Sequence, residues 1–146
     1  MGGAAGAITT IALGISDQSD FRDEISMADD PTLSTTNLDE TYVVQSMVYF
    51  WGSNVKIELY KSVYGVERYD SSDPELFMAH GTDDRNPTTA YAEATELQGI
   101  YESIGVHSEL VTLQGADHGA WDAKVNGKGL FELSFDFLVE RQNLDL

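Results

Sequence analysis

The chain has 146 residues, 42% of them hydrophobic, and carries 25 acidic against 8 basic side chains for a net charge of −17. That is the size of one domain with an adequate core, and its charge argues against nucleic acid and anionic membranes as partners while favouring solubility, above all in a salty medium. No run of about 18 apolar residues is present, no basic region followed by an apolar stretch marks a signal peptide, and the lack of cysteine excludes disulfides, thiolate catalysis and Cys–zinc sites.

The chain opens Met1-Gly2-Gly3-Ala4-Ala5-Gly6-Ala7. Gly2 and Gly6 have the spacing of a Gly-x-Ser-x-Gly turn, which lifts a nucleophilic serine above a sheet, but the middle position is Ala4. Residues Ala5 to Leu13 predict a short helix, apolar on nearly every side and stopped by Gly14. A helix with no polar face is expected to be buried. Residues 15–41 read as an acidic loop with one short helical turn: Asp17, Asp20, Asp23, Glu24, Asp29, Asp30, Asp39 and Glu40 crowd around Pro31 and the polar run Ser34-Thr35-Thr36-Asn37. Oxygen ligands for calcium are plentiful there, but their spacing does not match an EF-hand, and neither a metal nor a cofactor is assigned.

Tyr42 to Phe50 is rich in β-branched and aromatic residues and predicts a buried strand ended by Trp51-Gly52-Ser53. Val55 to Tyr64 suits a helix with an apolar face at 55, 59 and 63, closed by Gly65. Leu76 to Ala79 is a short apolar strand running into His80-Gly81-Thr82-Asp83-Asp84. Residues 88–104 give the clearest helix, with Ala90, Ala94, Leu97, Tyr101 and Ile104 on one face and Gly105 at its end. Val106 to Leu113 predicts a strand. The loop Ala116-Asp117-His118-Gly119-Ala120-Trp121 follows. Lys128 to Asn143 reads as a last helix with Leu130, Phe131, Phe135, Phe137 and Leu138 inside. The alternation predicts an α/β fold: a short, mostly parallel sheet of about three strands flanked by helices.

In an open parallel sheet, ligands bind at the carboxyl ends of the strands. Ser53, the His80 to Asp84 run and His118 all fall there. A carboxylate and a histidine on adjacent strand ends can meet, the carboxylate orienting the imidazole and the imidazole taking a proton from a hydroxyl. With the turn at residues 2–6 coming first, the order is nucleophile position, acid, histidine.

Three stretches then resemble the α/β-hydrolase superfamily of the carboxylesterase and lipase type. Gly2-Gly3-Ala4-Ala5-Gly6-Ala7 is similar to the Gly-Gly-Ser-Ala-Gly-Ala elbow of such esterases. Leu76 to Asp84 resembles their strand followed by His-Gly-Thr-x-Asp, which implies that Asp84 is the catalytic acid. Gly115 to Trp121 resembles their Gly-Ala-Gly-His-Gly-x-Trp loop, which implies that His118 is the base. The resemblance spans the chain as one domain, 1–146. It implies a serine-triad ester hydrolase acting on a small ester through an acyl-enzyme, with Ala4 in the nucleophile position and the Ala5 backbone N–H as an oxyanion-hole donor.

Two departures matter. A methyl group at Ala4 cannot attack a carbonyl, so the chain is expected to be inactive or weakly active; the alternative is a non-catalytic pseudo-hydrolase that binds a small molecule or a protein. The family sheet also has about eight strands with the elbow after the fifth, so the resemblance covers the C-terminal half of a domain, without the loop that supplies a second oxyanion donor. An unpaired apolar sheet edge and an N-terminal helix short of packing partners then predict a homo-oligomer, a dimer. Among the remaining residues, Asp83 is the runner-up acid and His80 is expected to shape its turn through hydrogen bonds. His107 is expected at the surface, Ser53 is a remote surrogate nucleophile, and Trp121 is expected to pack over the His118 loop.

Overall fold

The computed structural model describes residues 1–20, 26–35, 37 and 40–145. Along the chain run β1 (Gly2–Gly3), α1 (Ala5–Ile15), a 3-10 turn (Pro31–Thr35), β2 (Ser46–Phe50), α2 (Val55–Tyr64) and β3 (Glu75–Gly81). Then follow α3 (Tyr91–Ile104), β4 (Ser108–Leu113), a small ribbon of β5 (Lys124–Val125) and β6 (Lys128–Gly129), and α4 (Leu130–Gln142). The first four strands form one sheet in the order β1-β2-β3-β4, every pair parallel.

Alternation along the strands divides the core between the two faces of this sheet. Met47 and Tyr49 of β2 and Leu76 and Met78 of β3 pack with Ala7, Ile11 and Ile15 of α1, Ile57 of α2, and Ala94, Leu97 and Tyr101 of α3. Val48, Phe50, Phe77 and Ala79 point the other way, onto Leu130 and Phe137 of α4. Consecutive right-handed crossovers put their helices on one side, and the helix after the last strand covers the other. Both faces of the two central strands, β2 and β3, are therefore dry, as parallel strands require, while β1 and β4 at the edges are half-buried.

Several expectations change. The sheet has four strands rather than about three, because Gly2 and Gly3 pair with Tyr49 and Phe50. α1 does not stop at Gly14 but runs to Ile15. A Cβ on Gly14 would lie 2.2 Å from Met47 Sδ, so this glycine lets the helix lie close on β2. Nor is α1 buried all round, since Ala5, Gly6, Thr9 and Leu13 are exposed. β2 begins at Ser46, and Tyr42 and Val43 ahead of it are exposed, because the pairing with β3 starts only at Ser46 and Glu75. α2 has the expected bounds and the opposite orientation: Val55, Leu59 and Val63 face outward and Ile57 is its buried residue.

α3 starts at Tyr91 because residues 86–90 form turns, with Asn86 Oδ1 accepting from the Thr88 N–H. The ribbon has no counterpart in the sequence expectations. Asn126 and Gly127 both have positive φ, the signature of a tight Asn-Gly hairpin turn. Pairing of Lys128 and Gly129 in that ribbon delays α4 to Leu130. In α4, Leu130, Ser134 and Phe137 are buried, whereas Phe131 and Phe135, expected inside, are exposed.

Within the described part of the acidic loop, Pro31–Thr35 forms a 3-10 turn. Asp23, Glu24, Thr36 and Asp39 lie outside the described residues. Asp20 is not a solvated charge. It is buried, accepts a hydrogen bond from Tyr60 Oη at 2.8 Å and is ion-paired with Arg68, which also reaches Asp17 Oδ2 at 2.8 Å. No described helix is long and apolar enough to cross a membrane.

Candidate active site

Ala4, Asp84 and His118 lie at the carboxyl ends of the parallel strands. Ala4 follows β1, Trp51 follows β2, the loop to Asp84 follows β3 and the loop to His118 follows β4. Ala4 continues the sheet ladder by donating its N–H to Phe50 O at 3.0 Å, then breaks into φ 51°, ψ −119° before α1 begins at Ala5. Positive φ is uncommon for a residue with a Cβ and is characteristic of a forced turn. The turn is tight because Gly2 has no side chain: a Cβ there would lie 2.3 Å from the Gly6 carbonyl carbon. Gly6, by contrast, has open space where its Cβ would be, so among the described residues only the first glycine of the pair is required sterically. Ala5 is the first residue of α1, so its N–H belongs to the turn whose donors have no partner within the helix, at the positive end of the helix dipole.

The loops after β3 and β4 are laced together. Thr82 N–H donates to Leu113 O at 3.1 Å, Asp83 N–H to Ala116 O at 2.9 Å, and Gly115 N–H to Thr82 Oγ1 at 2.8 Å. Gly81 allows this approach, because a Cβ there would lie 2.2 Å from Ala116 O. The lacing brings Asp84 to His118: the imidazole Nδ1–H donates to Asp84 Oδ2 at 2.8 Å. Asp83 is exposed and makes no such contact. With Nδ1 carrying the hydrogen, His118 Nε2 holds the lone pair of a base.

Asp84 is 4% exposed. Burial alone would push its carboxyl up, but hydrogen bonds from His118, the Asn86 N–H and His80 outweigh that and hold it below the usual carboxylate range. It is therefore an anion able to orient and stabilise an imidazolium. Ser53 is fully buried, so its hydroxyl is not open to a substrate. His107 is exposed and lies 3.1 Å from Glu109 Oε1, away from this cluster.

Residues 1–144 match the model of the prolyl oligopeptidase family, peptidase S9. The chain belongs to that family. Among solved structures it is similar to a thermophilic esterase of the planctomycete Thermogutta terrifontis with propionate bound, at 20% identity and TM-score 0.64, over 99% of this chain and 56% of that one. It is similar to an acetyl ester-xyloside bifunctional hydrolase from Caldicellulosiruptor lactoaceticus, at 15% identity and TM-score 0.64, over 99% and 56%. A truncated carbohydrate esterase from gut microbiota matches at 16% identity and TM-score 0.57, over 75% and 46%. The chain thus spans about half the length of the structures it resembles, and its fold is part of the α/β-hydrolase fold, as the three motifs implied. No curated protein matches it.

In this prolyl oligopeptidase-family chain, sequence reasoning misses two members of the site. Thr89 is buried, places Oγ1 3.2 Å from His118 Nδ1 and offers its carbonyl to His80 Nε2 at 2.8 Å. Nothing in the sequence marks it, since it is one of two adjacent threonines in a turn. Trp51 stands in the sequence only as the end of a strand. It is 1% exposed, has φ 38°, and lies edge-to-face with both Trp121 (centroids 4.6 Å apart) and His118 (6.4 Å). Trp121 packs over the elbow as well as its own loop, since a Cβ on Gly3 would meet its ring at 2.7 Å.

Proposed function

We propose that the chain carries a serine-type acyl-transfer site for carboxylic esters whose nucleophile position is held by Ala4. The hydrogen bond from His118 Nδ1 to Asp84 Oδ2 carries the reading, because it fixes the tautomer in which Nε2 is free to take a proton. With serine at position 4, Nε2 would take the hydroxyl proton as the oxygen adds to the ester carbonyl. The Ala5 N–H would steady the oxyanion. The imidazolium would then protonate the departing alcohol, leaving an acyl-enzyme for water to cleave. Ala4 has no hydroxyl, so the chain as it stands forms no acyl-enzyme and has little or no triad turnover.

The test is hydrolysis of a chromogenic short-chain ester by the unaltered chain and by Ala4→Ser, with a proline anilide peptide alongside. Ester turnover that appears only with serine supports the reading, and turnover of the anilide alone moves the substrate class to peptides. Turnover by the unaltered chain overturns the role given to position 4. Ala4 itself favours a second reading, a non-catalytic module that binds a small acid or ester. Calorimetric binding of a carboxylic acid by a chain that stays inactive as Ala4→Ser would select it.

A further inference from the structure

The sequence leaves His80 as a residue that shapes a turn. Its place in the structure is more specific. It is the penultimate residue of β3, on a strand flanked on both sides, and is fully buried. Its Nε2 lies 3.0 Å from Asp84 Oδ2 and 2.8 Å from Thr89 O. A carboxylate and a carbonyl are both acceptors, so Nε2 must carry a hydrogen. The other ring nitrogen, Nδ1, is buried and has no hydrogen-bond partner among the described residues. A second proton there would leave a charged donor buried and unanswered. The ring is accordingly neutral, and burial holds it below its ordinary pKa against the pull of Asp84.

These contacts complete the set around Asp84. Oδ2 receives N–H groups from both His80 and His118, and Oδ1 receives the Asn86 N–H at 3.0 Å. His80 also anchors the carbonyl of Thr89, whose hydroxyl stands beside His118 Nδ1. A single neutral imidazole thus touches both groups that face the Nδ1 side of His118. The aromatic neighbours of His80, Tyr49 at 6.1 Å and Tyr91 at 5.9 Å between ring centroids, hold its plane.

We infer that His80 is a positioning residue: a neutral, Nε2-protonated imidazole that fixes the Asp84 carboxylate and the Thr89 segment so that His118 keeps its Nδ1–H directed at Asp84. What this positioning serves rests on the acyl-transfer reading. The positioning itself does not need a nucleophile, and neither does its measurement.

The chain has only three histidines, so nitrogen-15 NMR of histidine-labelled protein resolves each tautomer. His80 is expected to stay in the Nε2–H form at every pH where the fold persists, and His118 is expected to show a protected Nδ1–H signal. In His80→Phe, which keeps a planar ring but donates nothing, exchange of that proton with water is expected to quicken about tenfold, the loss of one hydrogen bond to a charged group. His80→Gln, whose amide can donate in place of Nε2, is expected to restore the protection. An Nδ1–H tautomer at His80, or its protonation while the chain is folded, overturns the inference. So does unchanged protection of His118 in folded His80→Phe. If His80→Phe does not fold, the tautomer in the unaltered chain and the result with His80→Gln still decide. Failure of the ester assay with these signals present counts against the acyl-transfer reading and leaves the positioning intact.

Discussion

Ala4 carries the backbone strain of a nucleophile turn without a nucleophile, so replacing it with glycine should stabilise the chain. At φ 51°, ψ −119° the residue sits where a Cβ is crowded, and such conformations cost about 1–3 kcal/mol. Glycine removes that cost. Against it stand two losses. The unfolded chain gains freedom worth about 0.4–1 kcal/mol. The half-buried methyl, which packs against the cluster of Phe50 and Trp51, gives up roughly half of the ~0.8 kcal/mol expected of a fully buried carbon. Taking about 2 kcal/mol for the strain, the net is about 1 kcal/mol of added stability. For a chain of this size that raises Tm by roughly 3 °C. Ala4→Ser keeps the Cβ and the strain, so it should melt within about 0.5 kcal/mol of the unaltered chain, as neutral substitutions do. Thermal and urea unfolding followed by circular dichroism measure both. A lower Tm for Ala4→Gly would refute the claim that the turn is strained at residue 4.

The loops that join Asp84 to His118 depend on Gly81, whose absent Cβ would meet Ala116 O at 2.2 Å. Gly81→Ala should cost about 2 kcal/mol or more in urea unfolding, in the range of overpacked cores, and an undiminished midpoint would contradict the close approach. Burial raises the Asp73 carboxyl to about 6. Its folded pKa exceeds its unfolded value of about 4, so the fold binds this proton more tightly and its contribution is lost as pH rises from about 4 through 6. Asp73→Asn should therefore raise Tm at pH 7 and have no such effect at pH 4; equal shifts at both values would be inconsistent with a raised carboxyl. The outer edge of β1 has no partner strand among the described residues, and Met1, Leu13, Trp121 and Phe131 are exposed. We propose that two copies associate there, with a dimer fraction that grows as salt screens the charge of −17. Light scattering that finds a folded monomer from low to high salt would exclude this.

The parts of the fold legible in the sequence are those fixed by short-range chemistry. Gly65 and Gly105 end α2 and α3 in the left-handed conformation expected of them. The apolar run at 76–79 lies inside a strand buried on both faces. What the sequence hides is orientation. Val55, Leu59 and Val63 lie at helical spacing and suggest a core face, yet the stripe points outward because Ile57, the buried residue of α2, lies off it. In the same way Phe131 and Phe135 look like core and are not, since α4 is seated by Leu130, Ser134 and Phe137. At the site, the three motifs suffice to put Ala4, Asp84 and His118 at strand ends, because each motif lies at or just after the end of a strand. Thr89 and Trp51 are invisible because their parts are set by tertiary contacts and by a backbone angle, neither of which leaves a local pattern.

Two kinds of force hold the site together, and they differ in stiffness. Asp84 and His118 are fixed to each other by hydrogen bonds within and between two adjacent loops, with His80 and Thr89 closing the network. The elbow has no such lacing to that pair among the described residues. β1 is tied to β2 by two residue pairs, and the elbow meets the His118 side through aromatic rings: Trp121, whose ring a Gly3 Cβ would meet at 2.7 Å, and Trp51, whose Nε1 lies 3.4 Å from that Cβ and whose ring meets His118 edge-on. Trp51 is itself pinned by its N–H to Ala79 O at 3.0 Å, in a backbone conformation rare for so large a side chain. A hydrogen-bonded network is directional and short-ranged, whereas aromatic packing tolerates small slides. The position of residue 4 relative to His118 is therefore the softer coordinate of the site. A substitution at Trp51 should loosen the elbow while leaving the bond between Asp84 and His118 in place.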